Sequence, residues 1–136
     1  MFEILEHTAD IGIRVRAATL PELFEQAALA LQAVVLDASR VRPLETYPLS
    51  AEGEDDPALL VNFLSDVLFL LDARRVAFAG VKVEHLDPHS VRAHAAGEPR
   101  DATRHPPRVI VKGVTYHQFR LDRTPEGWLA EVFLDI

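Results

Sequence analysis

The sequence predicts an α+β protein in which two amphipathic helices pack on a mainly antiparallel β-sheet. Three observations predict this fold class. Apolar and polar residues alternate near both termini, two longer segments have helical periodicity, and β patterns dominate the second half. No repeat, low-complexity tract or long linker divides the 136 residues. We therefore expect one domain that spans residues 1–136.

The first strand and the first helix are predicted from two local patterns. Apolar side chains occupy every second position of residues 11–17, which is typical of a strand with one buried face. Thr19 then precedes Glu22 by three residues, the spacing of a capping box. An amphipathic helix is therefore expected at residues 20–36.

A second helix is expected to begin at Pro57, a residue favoured in the first turn of helices. It follows a short extended piece at residues 47–51 and an acidic cluster at residues 52–56. Its apolar residues cover so much of its circumference that we expect it to be buried on more than one side.

The remaining elements are predicted to be strands, loops and turns. Asp87 and Pro88 form the turn of a hairpin within residues 81–95, and a loop occupies residues 97–107. A long strand is expected at residues 109–121, with a bulge near Gly113 where the apolar parity changes. After a turn at residues 124–127, the last strand covers residues 128–134.

Composition excludes several classes of protein. The formal net charge is −7, which disfavours nonspecific attraction to RNA or anionic lipid. The absence of cysteine excludes disulfide frameworks, thiolate nucleophiles and sulfur-ligated zinc. No apolar run approaches the roughly 18 residues of a membrane span, and we expect a cytoplasmic protein without membrane contact.

The segment HTADIG at residues 7–12 raises the question of a metal site. Asp10 and Asp135 both fall on the polar parity of a strand, and antiparallel pairing of the first and last strands would bring them together. The terminal oxygens of Ile136 would add hard donors there, which favours calcium, magnesium or manganese over zinc. The alternative is two solvated acids at strand ends.

Other polar residues are weaker candidates. His7 either contributes to the site or only supports a turn, and Lys112 either contacts a phosphate or acidic partner or only protects a strand edge. His117 belongs to a polar group with Glu98, Asp101, His105, Lys112 and Tyr116. A zinc pair of His85 and His89 is disfavoured because Pro88 lies between them.

Six segments in register resemble the archease family. They are HTADIG at 7–12, TLPELFEQAALAL at 19–31, LLVNFLSDVLFLLD at 59–72, GEPRDATRH at 97–105, VKGVTYHQF at 111–119 and the terminal LDI. The resemblance covers essentially the whole chain. One departure is Gly113, where the family more often has alanine or another small residue.

The resemblance implies a function and a set of residues. It implies an activator of the RtcB-type 3′-phosphate RNA ligase in tRNA splicing and RNA repair, which promotes ligase guanylylation and multiple turnover and meets RNA only through the ligase. It also implies a divalent ion, calcium first, bound by Asp10, Asp135 and Ile136. Lys112 matches the family's lysine and is the candidate contact with the ligase.

The sequence leaves two other functions open. A metal-assisted hydrolase would use Asp10 and Asp135 with a base such as His7. A chaperone-like modulator of a tRNA-modifying enzyme would need no catalytic set. Phosphate loops, nucleophile elbows and dinucleotide fingerprints are absent from the sequence, so we expect a protein that is not an enzyme.

Overall fold

The computed structural model describes residues 1–6 and 10–136. These residues form seven strands and two helices, in the order β1 (Phe2–Glu6), β2 (Asp10–Ala17), α1 (Leu20–Val35), β3 (Glu45–Glu52), α2 (Asp56–Asp72), β4 (Val76–Asp87), β5 (Ser90–Pro99), β6 (Gly113–Thr124) and β7 (Gly127–Asp135). The predicted α+β class, with two helices and antiparallel strands in a single domain, is confirmed.

The strands form two antiparallel sheets. A four-stranded sheet has the order β1-β2-β7-β6, and a three-stranded sheet has the order β3-β5-β4. The sequence predicted a single sheet, so this division is an additional finding. Both helices contact strands of both sheets, because α1 packs against β2 and β4 while α2 packs against β3 and β6.

The helices begin where the sequence predicts. The Thr19 side chain accepts a hydrogen bond from the Glu22 N–H at 3.3 Å, and the Asp55 carboxylate accepts one from the Ala58 N–H at 2.9 Å. Helix α2 lies between α1 and strands of both sheets, which explains why its apolar residues cover most of its circumference. Burial on more than one side is therefore confirmed.

A buried glutamine links α1 to the three-stranded sheet. The Gln32 side chain is 1% exposed; its Nε2 donates to the Phe78 carbonyl at 2.7 Å, and its Oε1 accepts from the Phe78 N–H at 2.8 Å. Both halves of the amide are therefore satisfied, as a buried polar group requires.

The structure differs from the sequence predictions at two strands, β1 and β6. Strand β1 was not predicted, and residues 109–112 are not part of β6. The N–H groups of Arg108 and Val109 instead donate to the carbonyls of Val35 and Val34 at the end of α1. The irregularity in β6 lies between Thr115 and Arg120 rather than at Gly113.

Neither helix of the described residues has the combination of length and hydrophobicity that crossing a membrane would require.

Candidate functional site

Asp10 and Asp135 lie directly opposite each other on neighbouring strands. β2 pairs with β7 in antiparallel register, with Asp10 opposite Asp135 and Ile11 opposite Leu134. Ile11 and Leu134 are buried, whereas Asp10 is half-buried and Asp135 is exposed. The pairing expected from residue parity is therefore confirmed, while the role of the two acids as metal ligands stays a prediction.

Lys112 is joined to this pair through the backbone. Its N–H donates to the Asp135 carbonyl at 2.7 Å, and its side chain is exposed. The next residue, Gly113, is in register with Asp135 on β6. Asp10, Asp135 and Lys112 thus meet at one end of the four-stranded sheet, which we call the acidic edge.

The residues of the acidic edge fit a hard divalent cation. Carboxylates directly opposite each other on a sheet repel, and within residues 1–6 and 10–136 no side chain pairs with the carboxylate of Asp10 or Asp135. No group of three or more His, Cys, Asp or Glu side chains suitable for a metal occurs in this described part. Among the described residues, further ligands would be main-chain oxygens, such as those of Ile136, or water, a donor set that suits calcium or magnesium.

The outer face of the sheet beside the acidic edge is closely packed. The Phe133 ring lies over Gly12, because a Cβ built on Gly12 would be 2.8 Å from Phe133 Cε2. His117 contacts the same ring edge-on, with 6.5 Å between ring centroids. A row of alternating charge follows, in which Arg14 bonds Glu131 at 2.6 Å and Glu3 at 3.4 Å.

A bulge in the edge strand β6 brings His117 to this face. The Thr115 hydroxyl donates to the Phe133 carbonyl at 3.1 Å and accepts from the His117 N–H at 3.2 Å. Gln118 has a left-handed backbone with a φ of 52°, and Tyr116 packs on Phe119 with 6.0 Å between ring centroids. Tyr116 and His117 are both exposed in consequence.

The polar group predicted in the second half separates into two parts. Glu98 and His105 are 3% and 1% exposed and form a buried cluster, whereas His117 packs on Phe133 at the surface. Glu98 Oε1 accepts from Arg42 Nε and Nη2 at 3.0 and 2.9 Å. These bonds to Arg42, together with a bond to His105, lower the pKa of the Glu98 carboxyl to about 2.

His105 takes its orientation from two hydrogen bonds. Its Nδ1 accepts from the Asp101 N–H at 3.0 Å, so its Nε2 carries the proton and donates to Glu98 Oε2 at 3.1 Å. The Glu98–His105 cluster thereby holds the segment after β5 against Arg42. Its contacts are internal, which indicates a structural role that the sequence pattern could not separate from a functional one.

The remaining candidates have other surroundings. His85 Nε2 bonds Asp87 at 2.7 Å and His89 Nδ1 bonds the Gly53 carbonyl at 3.3 Å, so the two histidines have different partners and the zinc reading stays disfavoured. Ile136 is half-buried and packs against the core. His7 lies outside the described residues.

These observations define a class of protein, namely a small α+β domain in which two acidic residues lie opposite each other on neighbouring strands. The model of the Archease protein family matches residues 2–136, and the chain belongs to that family.

Named relatives and solved structures agree with this assignment. The chain is 39% identical to Protein archease of Thermococcus gammatolerans and 40% identical to that of Pyrococcus furiosus, each alignment covering 99% of this chain and 98% of the relative. The solution structure of Methanobacterium thermoautotrophicum protein 1598 superposes with a TM-score of 0.77 at 31% identity, over 99% of this chain and 98% of that one. A Thermotoga maritima archease, described as a possible chaperone, shares the fold with a TM-score of 0.65 at 17% identity, over 97% and 94% of the two chains.

Proposed function

We propose that this archease activates an RtcB-type RNA ligase in tRNA splicing and RNA repair, without catalysing a reaction itself. Membership of the archease family supports the proposal. The single structural observation that carries it is the acidic edge, where Asp10, Asp135 and Lys112 present opposite charges side by side on a sheet end. Such a surface suits recognition of one state of a partner, which is how an activator works.

The surroundings of the acidic edge favour an activator over a hydrolase. A hydrolase needs a cleft in which a bound water meets a substrate. Four cavities in the described part of the chain, of 640, 410, 230 and 180 Å³, are lined by neither Asp10 nor Asp135. In this proposal the half-buried Asp10 and the exposed Asp135 form a docking point at the end of the sheet.

In this proposal Asp10, Asp135 and the main-chain oxygens of Ile136 hold a divalent ion. Calcium is expected first, with magnesium or manganese as alternatives. When bound, the ion would neutralise the two opposed carboxylates and offer an open coordination position to an oxygen atom of the ligase. Lys112 would contact the ligase beside it, and His7 and His117 are further contact candidates.

A ligation time course tests the proposal. The ligase is used at substoichiometric concentration with GTP, manganese and an RNA ending in a 3′-phosphate, with and without the purified chain. We expect more joining events per ligase and faster formation of the guanylylated ligase, while this chain stays unmodified. Unchanged turnover with a cognate ligase would overturn the proposal and favour the chaperone-like modulator of a tRNA-modifying enzyme.

The two lysines of the sequence provide a matched pair of variants for the same assay. Lys112 and Lys82 are both exposed, but Lys82 lies on β4 in the three-stranded sheet. Lys112→Ala should lower the stimulation, and Lys82→Ala should leave it unchanged. Equal loss in both variants would indicate a general charge effect rather than a contact at the acidic edge.

A further inference from the structure

A second charged feature lies beyond the acidic edge, in a cavity between the end of α2 and the segment that follows β5. The cavity has a volume of 230 Å³, and three arginines and one acid are among its lining residues: Arg75, Arg100, Arg108 and Asp72. Val35 and Ile110 form part of its apolar wall. The concentration of arginine is unexpected in a chain whose formal net charge is −7.

Arg100 is buried at the base of this cavity. Its side chain is 7% exposed; Nη1 donates to the Leu71 carbonyl at 3.0 Å and lies 3.6 Å from Asp72 Oδ1. Burial lowers the pKa of Arg100, and the positive charge of Arg75 lowers it further. Two guanidinium groups therefore face the same small space and repel each other.

Capping of α2 explains Arg100 but not Arg75. The Leu71 carbonyl belongs to the last turn of the helix, where a cation is favourable. Arg75 follows the helix with a left-handed φ of 56°, and its carbonyl accepts a hydrogen bond from the Arg100 N–H at 2.7 Å. In the part of the chain that the structure describes, no acceptor pairs with the Arg75 guanidinium. A left-handed arginine is uncommon and strained.

Arg108 completes the positive lining at the rim. Its Nη1 donates to the Ala33 carbonyl at 3.0 Å, and Nη2 lies 3.8 Å from Asp37. Positive charge remains in excess even when both Asp72 and Asp37 are counted against the three arginines. An anion in the cavity would relieve this excess in a partly desolvated place, where charge pairs are stronger than in water.

We propose that this cavity binds a phosphate group through Arg75 and Arg100, with Arg108 at its rim. Two guanidinium groups present more N–H donors than one carboxylate can accept, whereas the several oxygens of a phosphate can pair with both. At about 30 Å³ per water molecule the cavity has room for several waters, and therefore for a phosphate group. The source of the phosphate is a free anion or the end of an RNA.

Titration of the ¹⁵N-labelled chain with inorganic phosphate at constant ionic strength tests the proposal. We expect saturable shifts of the backbone amide signals of residues 72–76 and 108–110, with chloride alone producing none. Arg75→Gln should weaken the binding about tenfold or more, the loss expected of one charge-assisted hydrogen bond. The matched control is Arg74→Gln, one residue away, since Arg74 instead lies over the Tyr47 ring at 5.9 Å.

A second variant separates binding from folding. Arg75→Gly removes the guanidinium while allowing the left-handed backbone, so we expect an unchanged or higher melting temperature together with lost phosphate binding. No saturable shift in the wild-type chain, or equal weakening in Arg74→Gln and Arg75→Gln, would overturn the proposal. The proposal would also be overturned if an acidic peptide saturated the site and phosphate did not.

Two further binding measurements identify the source of the phosphate. A short RNA with a 3′-phosphate is compared with the same RNA ending in a 3′-hydroxyl, each in wild type and in Arg75→Gln. Preference for the 3′-phosphate supports an RNA end as the ligand, and phosphate binding without any RNA preference supports a free anion. These measurements use the purified chain without a ligase, so their outcome is independent of the activator proposal.

Discussion

Phe133 packs its ring over Gly12 on the neighbouring strand, so that a Cβ on Gly12 would meet Phe133 Cε2 at 2.8 Å. The same Cβ would lie 3.2 Å from Leu5 on the other side. Gly12 is thus enclosed between two strands, two residues from Asp10 and on the same face. Its lack of a side chain allows the aromatic ring to cover the sheet beside the acidic edge.

We predict that Gly12→Ala lowers the free energy of unfolding by about 1–3 kcal/mol, the usual cost of overpacking. Phe133 is 4% exposed and has little room to move. In the double variant Gly12→Ala/Phe133→Leu the added methyl group meets a smaller side chain. The cost of Gly12→Ala should therefore be smaller in the Phe133→Leu background, by at least about 0.5 kcal/mol. Urea unfolding of the wild type, the two single variants and the double variant measures the four free energies of unfolding. Strictly additive effects of the two substitutions would contradict the contact.

Gly97→Ala should cost more than Gly12→Ala. A Cβ on Gly97 would lie 2.0 Å from the Ala77 carbonyl oxygen and 2.7 Å from the Phe78 Cα, both backbone atoms of the paired strand β4. The buried Phe133 ring can tilt slightly within its packing, whereas relief of the Gly97 contact requires the hydrogen-bonded backbones of β4 and β5 to separate. Comparison of the two variants by thermal unfolding tests this order, and similar losses would contradict it.

Asp10→Asn is predicted to raise stability in the absence of calcium and to reduce the stabilisation that calcium provides. In the presence of a chelator it removes the repulsion between directly opposed carboxylates, and we expect stabilisation of up to about 1 kcal/mol. In calcium it removes a ligand, so the wild type should gain more stability than the variant does. Thermal unfolding of the wild type and of Asp10→Asn, each with chelator and with calcium, measures these differences in stability.

The control for Asp10→Asn is Glu126→Gln, which removes one negative charge at an exposed position in the turn before β7. Because it keeps both proposed ligands, Glu126→Gln should gain as much stability from calcium as the wild type does. If Asp10→Asn gained as much stability from calcium as the wild type does, Asp10 would not be a ligand.

Glu98 should make stability depend on pH in the acid range. Its folded-state pKa, about 2, lies below its ordinary value of 4.5 because Arg42 and His105 donate to the carboxylate. A group with a depressed folded pKa stabilises the protein above the unfolded value, and this contribution is lost as the pH falls from about 4.5 to about 2. Urea unfolding between pH 6 and about 2 should show the decline, and Glu98→Gln should reduce its slope within that window more than Glu126→Gln does.

The elements that the sequence predicted are those with strong local signals. The alternation Ile11, Ile13 and Val15 leaves only one register for a strand with a buried face, and the caps Thr19 and Asp55 fix the helix starts through bonds to residues three positions later. The juxtaposition of Asp10 and Asp135 followed from the same parity, once antiparallel pairing was assumed.

The features that the sequence missed depend on contacts far apart in the chain. Residues 109–112 are Val, Ile, Val and Lys, a composition that favours a strand. Lys112 nevertheless donates to the Asp135 carbonyl and Val109 to the Val34 carbonyl, so no regular β-ladder forms there. The division into two sheets depends on which strands each helix covers. The pairing of Arg75 with Arg100 around one cavity is likewise a tertiary feature, since neither residue has a local motif.

Gln118, in the bulge of β6, has a left-handed φ of 52°, which is an unfavourable backbone conformation for a residue with a side chain. Glycine adopts this region without a steric penalty, so Gln118→Gly should raise the free energy of unfolding by about 0.5–1 kcal/mol. The same change at Gln26 on α1 should lower it by about 1 kcal/mol, since glycine is unfavourable within a helix. Thermal unfolding of the two variants should therefore move the midpoint in opposite directions. A loss of stability in both would show that the Gln118 side chain stabilises the bulge by more than its backbone strain.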